Sequence, residues 1–399
     1  MWAELGRTTV TPASAPTASR TTYYCLTLSR DVIDSWDWSE RYPTGPEVRA
    51  YLQHFATRTH LHPNIRLGSE VSGMRWNEEE SVWDVRTRSG NRYRARRVVS
   101  AMGLLSKAYL PAIAGIDSFK GAVLHTAAWP EGGVDLRGKR VGVIGVGSSA
   151  VQLIPRIAAD VEELVVFQRT PNYVVSANSE KLTEQDSAEI RNRLFDYHRM
   201  CQQHPFGVAM GPPRGRFEDL TAEERNDVLE QHWSEGGFHF ISETFADLST
   251  NDDAAWATSD FVKAKIRATV IDPAVAELLS AQDYPIGAKR VSTGHRFYET
   301  FNLPNVRLVD VRSNPIRAID GAAIVLESGR FDLDVIICAT GFDALTGSLD
   351  AIDIVGRGGE SLSQVWARDG LRTFLGMTVG GFPNFFMMLG PHTPPATWW

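Results

Sequence analysis

The sequence predicts an α/β fold in which a parallel sheet is accompanied by an antiparallel meander and a helical insertion. Three observations predict it. Residues 140–144 (RVGVI) form a short apolar strand that runs into a glycine turn, then a helical stretch at 150–159, then a second apolar strand at 164–168 (LVVFQ), which is a βαβ unit. Ahead of it, short segments alternate apolar and polar residues in the manner of half-buried strands. The chain, at 399 residues, exceeds one ordinary domain.

Composition narrows the function. Hydrophobic residues at 43% and charged residues at 22% are those of a folded globular protein rather than a disordered or fibrous one. The net charge of −7, with no long basic block, argues against a nucleic-acid partner. No apolar run reaches the roughly 20 residues that span a bilayer, and Pro383 and Asn384 interrupt the greasiest stretch, so no membrane partner is expected. Cys25, Cys201 and Cys338 make neither a disulfide framework nor a paired metal-ligand spacing, which suits a reducing cytoplasm and predicts no metal site. Oligomeric state is not readable.

Taken in order, residues 1–22 form an atypical leader rich in Thr, Ser, Ala and Arg, without the apolar core of a secretory signal. Pro46 suits a first helical position, and a helical pattern covers 48–59. Strands are expected at 65–67, 71–76, 82–87 and 92–99, with Ser89, Gly90 and Asn91 turning between the last two. The βαβ unit follows. Residues 179–261 are charged and helical with aromatic anchors, an insertion expected to pack over that unit. Strands resume at 306–311, 316–319, 323–326 and 335–338.

The glycine turn carries the first functional signal. Gly145, Gly147 and Ala150 have the G-x-G-x-x-A spacing between a strand and a helix. The first glycine permits the tight turn, the second lets backbone approach a pyrophosphate, and the small third residue lets helix and strand pack closely. Ser148 and Ser149 are placed as hydroxyl donors to the phosphates, and no G-x-S-x-G elbow makes either a nucleophile. An acid at the end of the next strand would bind the 2′-hydroxyl of NAD. Here that strand ends in Gln168, Arg169 and Thr170, which favours the 2′-phosphate of NADP(H).

Residues 119–130, FKGAVLHTAAWP, combine Gly121, His125, Thr126, Trp129 and Pro130 in the order F-x-G-x-x-x-H-T-x-x-W-P. In this the sequence resembles the Baeyer–Villiger monooxygenases, flavoenzymes of the wider flavin-containing monooxygenase group. The likeness extends from Tyr23 to His392. It implies a flavoprotein fold with two dinucleotide-binding (Rossmann-like) domains, and FAD and NADP(H) as cofactors. His125 would belong to a linker that positions NADP, with Arg169 and Thr170 on its 2′-phosphate. Lys289 would bind NADP and Arg290 would be the catalytic arginine. Ala339, Thr340, Gly341, Phe342 and Asp343 (ATGFD) would close back on FAD, and Gly390 would lie on the segment leading to the flavin.

The chemistry implied is oxygen insertion beside a ketone carbonyl: NADPH reduces FAD, O₂ gives a C4a-peroxyflavin, and this attacks the ketone to yield an ester or lactone. A fixed guanidinium beside the peroxy anion would contribute several kcal/mol. Two alternatives stay open, a non-catalytic NADP-binding remnant and an N- or S-oxygenating flavin monooxygenase, and the histidine-tryptophan-proline run disfavours the second.

The sequence departs from the family at both ends. No strand with a G-x-G-x-x-G turn precedes Tyr23, so an incomplete FAD domain and a shortened C-terminal part are expected, together with the absence of the aspartate that orients the arginine. Permitted codons for residues 1–22, read one frame over, can spell the family's GGTW and NRYPG stretches, which suggests an out-of-frame leader; the coding DNA tests this. The expected domains are a partial FAD-binding domain with linker at 23–133, an NADP-binding domain at 134–305, and a return to the FAD-binding domain at 306–399.

Overall fold

The computed structural model describes residues 20–130, 132–204 and 207–393. Most of the leader, residues 1–19, lies outside the described residues. Helix α1 (Gly45–Arg58) begins where Thr44 accepts the Glu47 amide and proline occupies the first turn. Strands β1 (Val71–Asn77), β2 (Val82–Thr87) and β3 (Arg92–Ala95) form the expected antiparallel meander. Gly90, at φ +87°, supplies its second turn.

Two expectations fail here. Residues 65–67 are not a strand, because a short 3₁₀ turn through His62–Asn64 ends directly before them. Residues 92–99 are not one strand either. The chain leaves the meander after Ala95, and β4 (Val98–Ser100) pairs in parallel with a strand near the far end of the chain.

The central layer comprises β5 (Ala122–His125), β6 (Arg140–Ile144), helix α2 (Ser148–Ile157) and β7 (Glu163–Gln168). A smaller parallel pair follows, of which β8 (Val174–Ser176) is the first strand. Next come helices α3 (Glu184–Gln203), α4 (Ala222–Glu235), α5 (Asp252–Thr269) and α6 (Pro273–Leu279), then β9 (Ser292–Gly294), β10 (Val306–Asp310), the antiparallel strands β11 (Ile316–Asp320), β12 (Ala323–Leu326) and β13 (Gly329–Asp332), and β14 (Val335–Cys338). The insertion therefore continues past residue 261 to Leu279, and Asn251 caps α5 by accepting the Asp253 and Ala254 amides.

The main sheet runs β10–β7–β6–β14–β5, all parallel. This corrects the division expected at residue 306. β10 and β14 belong to the same sheet as the glycine turn, and so does β5 from the expected linker. The physical reason is burial: all four residues of β14 are buried, which demands a central place in a sheet covered on both faces. One face packs on α2 and the helical insertion, with Val151, Leu153, Ile154, Val262 and Ile266 at 1% exposure or less. The other face packs under the β11–β13 sheet through Phe167, Ile324 and Ile336.

The second unit combines the meander with β15 (Asp353–Val355), helix α7 (Leu362–Asp369) and β16 (Phe385–Met387). β15 adds to β1 in parallel, and β16 pairs with β4. Trp76, Trp83, Ile354, Trp366, Phe382 and Phe385 form its core.

Candidate active site

The glycine turn lies at the carboxyl end of the central strands, where open α/β sheets place their ligands. Gly145 has φ +106°, and a Cβ there would sit 2.7 Å from the Ala339 carbonyl oxygen, so only glycine fits. Gly147 has open space before it and caps α2 without any side-chain hydrogen bond. The first amides of α2, at Ser148, Ser149 and Ala150, thus keep the unpartnered donors that attract an anion. Ala150 is fully buried against the sheet, as its small size requires.

Three neighbours assemble around this turn. The Ala339 amide donates to the Ile144 carbonyl (2.9 Å), which brings Ala339, Thr340 and Gly341 alongside Gly145. His125, at the end of β5, is 6% exposed; its Nδ1 accepts the Ala127 amide (3.0 Å) and its Nε2 lies 3.4 Å from Thr340 Oγ1. Burial pushes this imidazole below its ordinary pKa, so it stays neutral with its proton on Nε2. It latches the β5 segment to the Thr340 loop. The remaining residues of that loop are held by the 106–109 segment: Lys107 Nζ pairs with Asp343 (3.0 Å), Phe342 bridges Ala108, and the Tyr109 amide donates to the Gly341 carbonyl (3.0 Å).

On the other side, Ser148 Oγ lies 2.9 Å from Ser292 Oγ, and Asn172 Nδ2 donates to the Arg290 carbonyl (2.8 Å) and reaches Ser292 Oγ (3.4 Å). Donation from Asn172 to Ser292 and on to Ser148 leaves the Ser148 proton free to face a phosphate. This relay joins the turn to the 289–292 segment, and the parallel pairing of β8 with β9 fixes the register. Arg169 is exposed just beyond β7 and makes no ion pair among the described residues. Thr170 is half-buried next to it.

Lys289 and Arg290 line a cleft of about 800 Å³ walled by Met210, Phe238, Phe245 and Leu248. Lys289 Nζ lies 4.2 Å from the centre of the Tyr284 ring, and the Arg290 guanidinium lies 5.6 Å from that of Phe238. Burial in this wall pulls the guanidinium below its ordinary pKa and nearby Tyr24 raises it, but the side chain reaches solvent and remains charged. Among the described residues no carboxylate pairs with Arg290. Asn172, Phe238 and Tyr24 were not recognisable as site residues from sequence. Asn172 carries a weak signal, three positions past Arg169, whereas Phe238 and Tyr24 reach the arginine only through tertiary packing.

Gly390 is the expected site residue that these contacts do not bring to the turn. It sits in the second unit, its amide donating to the Gly376 carbonyl (3.0 Å), with no room for a Cβ. Gly341 has φ +81° and open space, and the exposed Tyr109 adjoins it through its amide; elsewhere, the second unit exposes Phe386 and Met388.

The residues fit NADP(H): a glycine cradle, uncapped helix amides and a free arginine. For FAD, the open, positive-φ Gly341 offers room for close approach of a ligand. The described residues contain a single G-x-G-x-x-A turn and so offer no second pyrophosphate cradle.

The model of the family described as flavin-binding monooxygenase-like matches residues 36–192. The cyclohexanone 1,2-monooxygenase of Acinetobacter sp is 39% identical over 382 residues, covering 95% of this chain and 70% of that protein. A Baeyer–Villiger monooxygenase of Pseudooceanicola batsensis is 40% identical over 376 residues, covering 93% and 68%. The crystal structure of OTEMO in complex with FAD and NADP superposes with a TM-score of 0.94 at 36% identity, covering 99% of this chain and 75% of the other. The parallel sheet with its glycine turn and arginine-lined cleft defines a dinucleotide-dependent oxidoreductase. The chain belongs to the flavin-binding monooxygenase family, among the Baeyer–Villiger monooxygenases.

Proposed function

We propose that the chain is an FAD- and NADPH-dependent monooxygenase of Baeyer–Villiger type, acting in the cytoplasm and inserting one oxygen atom of O₂ beside a ketone carbonyl. The observation that supports this reading is the relay from the glycine turn through Ser148, Ser292 and Asn172 to the backbone of Arg290, whose side chain lines the adjoining cleft.

Each residue then has a task. The α2 amides and Ser149 take the pyrophosphate, and Arg169 with Thr170 takes the 2′-phosphate. Lys289 supports the nucleotide from the cleft wall. His125, neutral and bonded at both nitrogens, holds the linker strand against Thr340. Arg290 supplies positive charge where an oxyanion develops at the ketone, in a wall of Met210, Phe238 and Phe245 that limits water. FAD supplies the oxygen-activating chemistry when bound, with Thr340, Gly341, Phe342, Asp343 and Gly390 as its protein contacts.

The test is a visible spectrum of the purified chain, followed by NADPH oxidation with a cyclic ketone under ¹⁸O₂. Yellow protein, ketone-dependent oxidation and one labelled atom in a lactone support the reading. A colourless protein that retains NADPH overturns it in favour of a non-catalytic nucleotide binder.

A further inference from the structure

A second cluster of chemistry-bearing side chains lies in the helical insertion. His232 and Glu235 stand one turn apart at the end of α4, and Glu243 follows the short helix His239–Ser242. Gly236 and Gly237, at φ +71° and +65°, make the reversal that brings the two helices together. His232 is 7% exposed and His239 9%.

The hydrogen bonds are unevenly spent. Glu243 Oε1 takes two donors, His239 Nδ1 (2.9 Å) and the Gly211 amide (2.5 Å). Its other oxygen faces His232 Nδ1 at 3.9 Å, too far for a hydrogen bond, while the same nitrogen lies 2.9 Å from Glu235 Oε2. One ligand atom from each of His232, Glu235 and Glu243 falls within 4.8 Å of the others. Ligand atoms around a tetrahedral zinc ion are separated by about 3.3–3.6 Å, given bonds of about 2.0–2.2 Å, and the separations of 2.9 and 3.9 Å lie either side of that range. His239 does for Glu243 what outer hydrogen bonds do at metal sites: it fixes one carboxylate oxygen and leaves the other to point inward.

We propose that His232, Glu235 and Glu243 bind one divalent transition-metal ion of the zinc type, with His239 as the residue that orients Glu243. The imidazole ligand selects zinc, cobalt or nickel over magnesium and calcium, which prefer all-oxygen sites. The ion would staple α4 to the short helix across the Gly236–Gly237 reversal. Phe238, which follows that reversal and lies over Arg290, would be fixed as a wall of the cleft.

Chelator-treated full-length protein titrated with Co²⁺ alone tests this without any activity readout. The expected result is one Co²⁺ per chain with the visible absorption of a tetrahedral site, displaced by Zn²⁺. Glu235→Gln, at an exposed residue, and the double variant His232→Gln/Glu243→Gln are expected to abolish that spectrum. His239→Ala is expected to weaken binding by about 10–100-fold. No saturable binding by the parent, or an unchanged spectrum in the folded Glu235→Gln protein, overturns the proposal. An ion held instead by the exposed His60 and His62 gives that second result.

Discussion

Two of the parallel arrangements among the described residues are built of similar residues and differ in what covers them. In the β10–β7–β6–β14–β5 sheet, Val141, Val143, Leu164, Val165 and Ile336 are inaccessible, with helices on one face and the β11–β13 sheet on the other. In the β4–β16 pair, Phe385 and Met387 face a core, but Val99 is 58% and Phe386 38% exposed on the opposite side. Apolar strand chemistry alone therefore does not set burial; a second packed layer does. The glycine turn stands on the two-sided sheet, where nothing can shift without disturbing both layers, whereas the one-sided pair leaves apolar side chains exposed.

Stability measurements break or sharpen this contrast most sharply. Leu164→Ala, at a fully buried position of the two-sided sheet, is expected to destabilise by about 2–5 kcal/mol. Phe386→Ala, on the open face, is expected to stay within about 0.5 kcal/mol. Urea denaturation of both variants gives the comparison directly, and similar losses at the two sites would dissolve it.

Two glycines probe the same contrast at the cleft. Both Gly145 and Gly341 have positive φ, but a Cβ at Gly145 meets the Ala339 carbonyl while one at Gly341 meets nothing within 4 Å. Backbone strain alone amounts to about 1–2 kcal/mol. Gly341→Ala is expected to lose about that much, and Gly145→Ala more, together with most of its NADPH affinity. Equal losses of affinity by titration calorimetry would mean that the close approach at Gly145 does not shape the cradle.

What could be read in advance follows the range of the interactions. The turn at Gly145, Gly147 and Ala150 was legible because strand, glycines and helix are contiguous, and each residue type answers a local steric demand. The place of β14 between β6 and β5 was not legible: an apolar run such as Val335–Cys338 states that both faces are buried but not which strands flank it. The break between Ala95 and Val98 was hidden for the same reason, since β4 leaves the meander for a partner almost three hundred positions away, with Val98 opposite Phe385. In the cleft, Lys289 and Arg290 stood out through resemblance, while Phe238 and Asn172 became visible only when the chain was folded.

A smaller effect is expected at Arg169, which is exposed beyond the end of β7 and is proposed to take the 2′-phosphate. Its guanidinium is exposed and makes no ion pair among the described residues, so Arg169→Ala leaves stability unchanged. Loss of a charge-assisted bond to the 2′-phosphate amounts to about 1.5 kcal/mol, or about tenfold weaker NADPH binding. NADH, which lacks that phosphate, is expected to bind as before. Equal weakening for both nucleotides would place the 2′-phosphate elsewhere.

The smallest effect is expected at the opposite end of the same strands. Asp334 precedes β14, and its carboxylate accepts from Arg140 Nη2 (3.0 Å) and from the Arg140 amide (2.9 Å) at the start of β6. These bonds from Arg140 hold the carboxyl below its ordinary value. A depressed carboxyl contributes stability that is present above the unfolded value of about 3.9 and fades as pH falls through the folded one. The pair is substantially solvent-exposed, which limits Asp334→Asn to less than about 1 kcal/mol at neutral pH. As pH falls below that folded value, the variant and parent are expected to converge. NADPH affinity should not change, because the five residues of β6 carry the chain about 16 Å from Arg140 to the turn. A variant that lost nucleotide affinity along with this small stability increment would show that the sheet transmits strain from its amino edge to the cradle, and that its two-sided packing is less rigid than the buried strands imply.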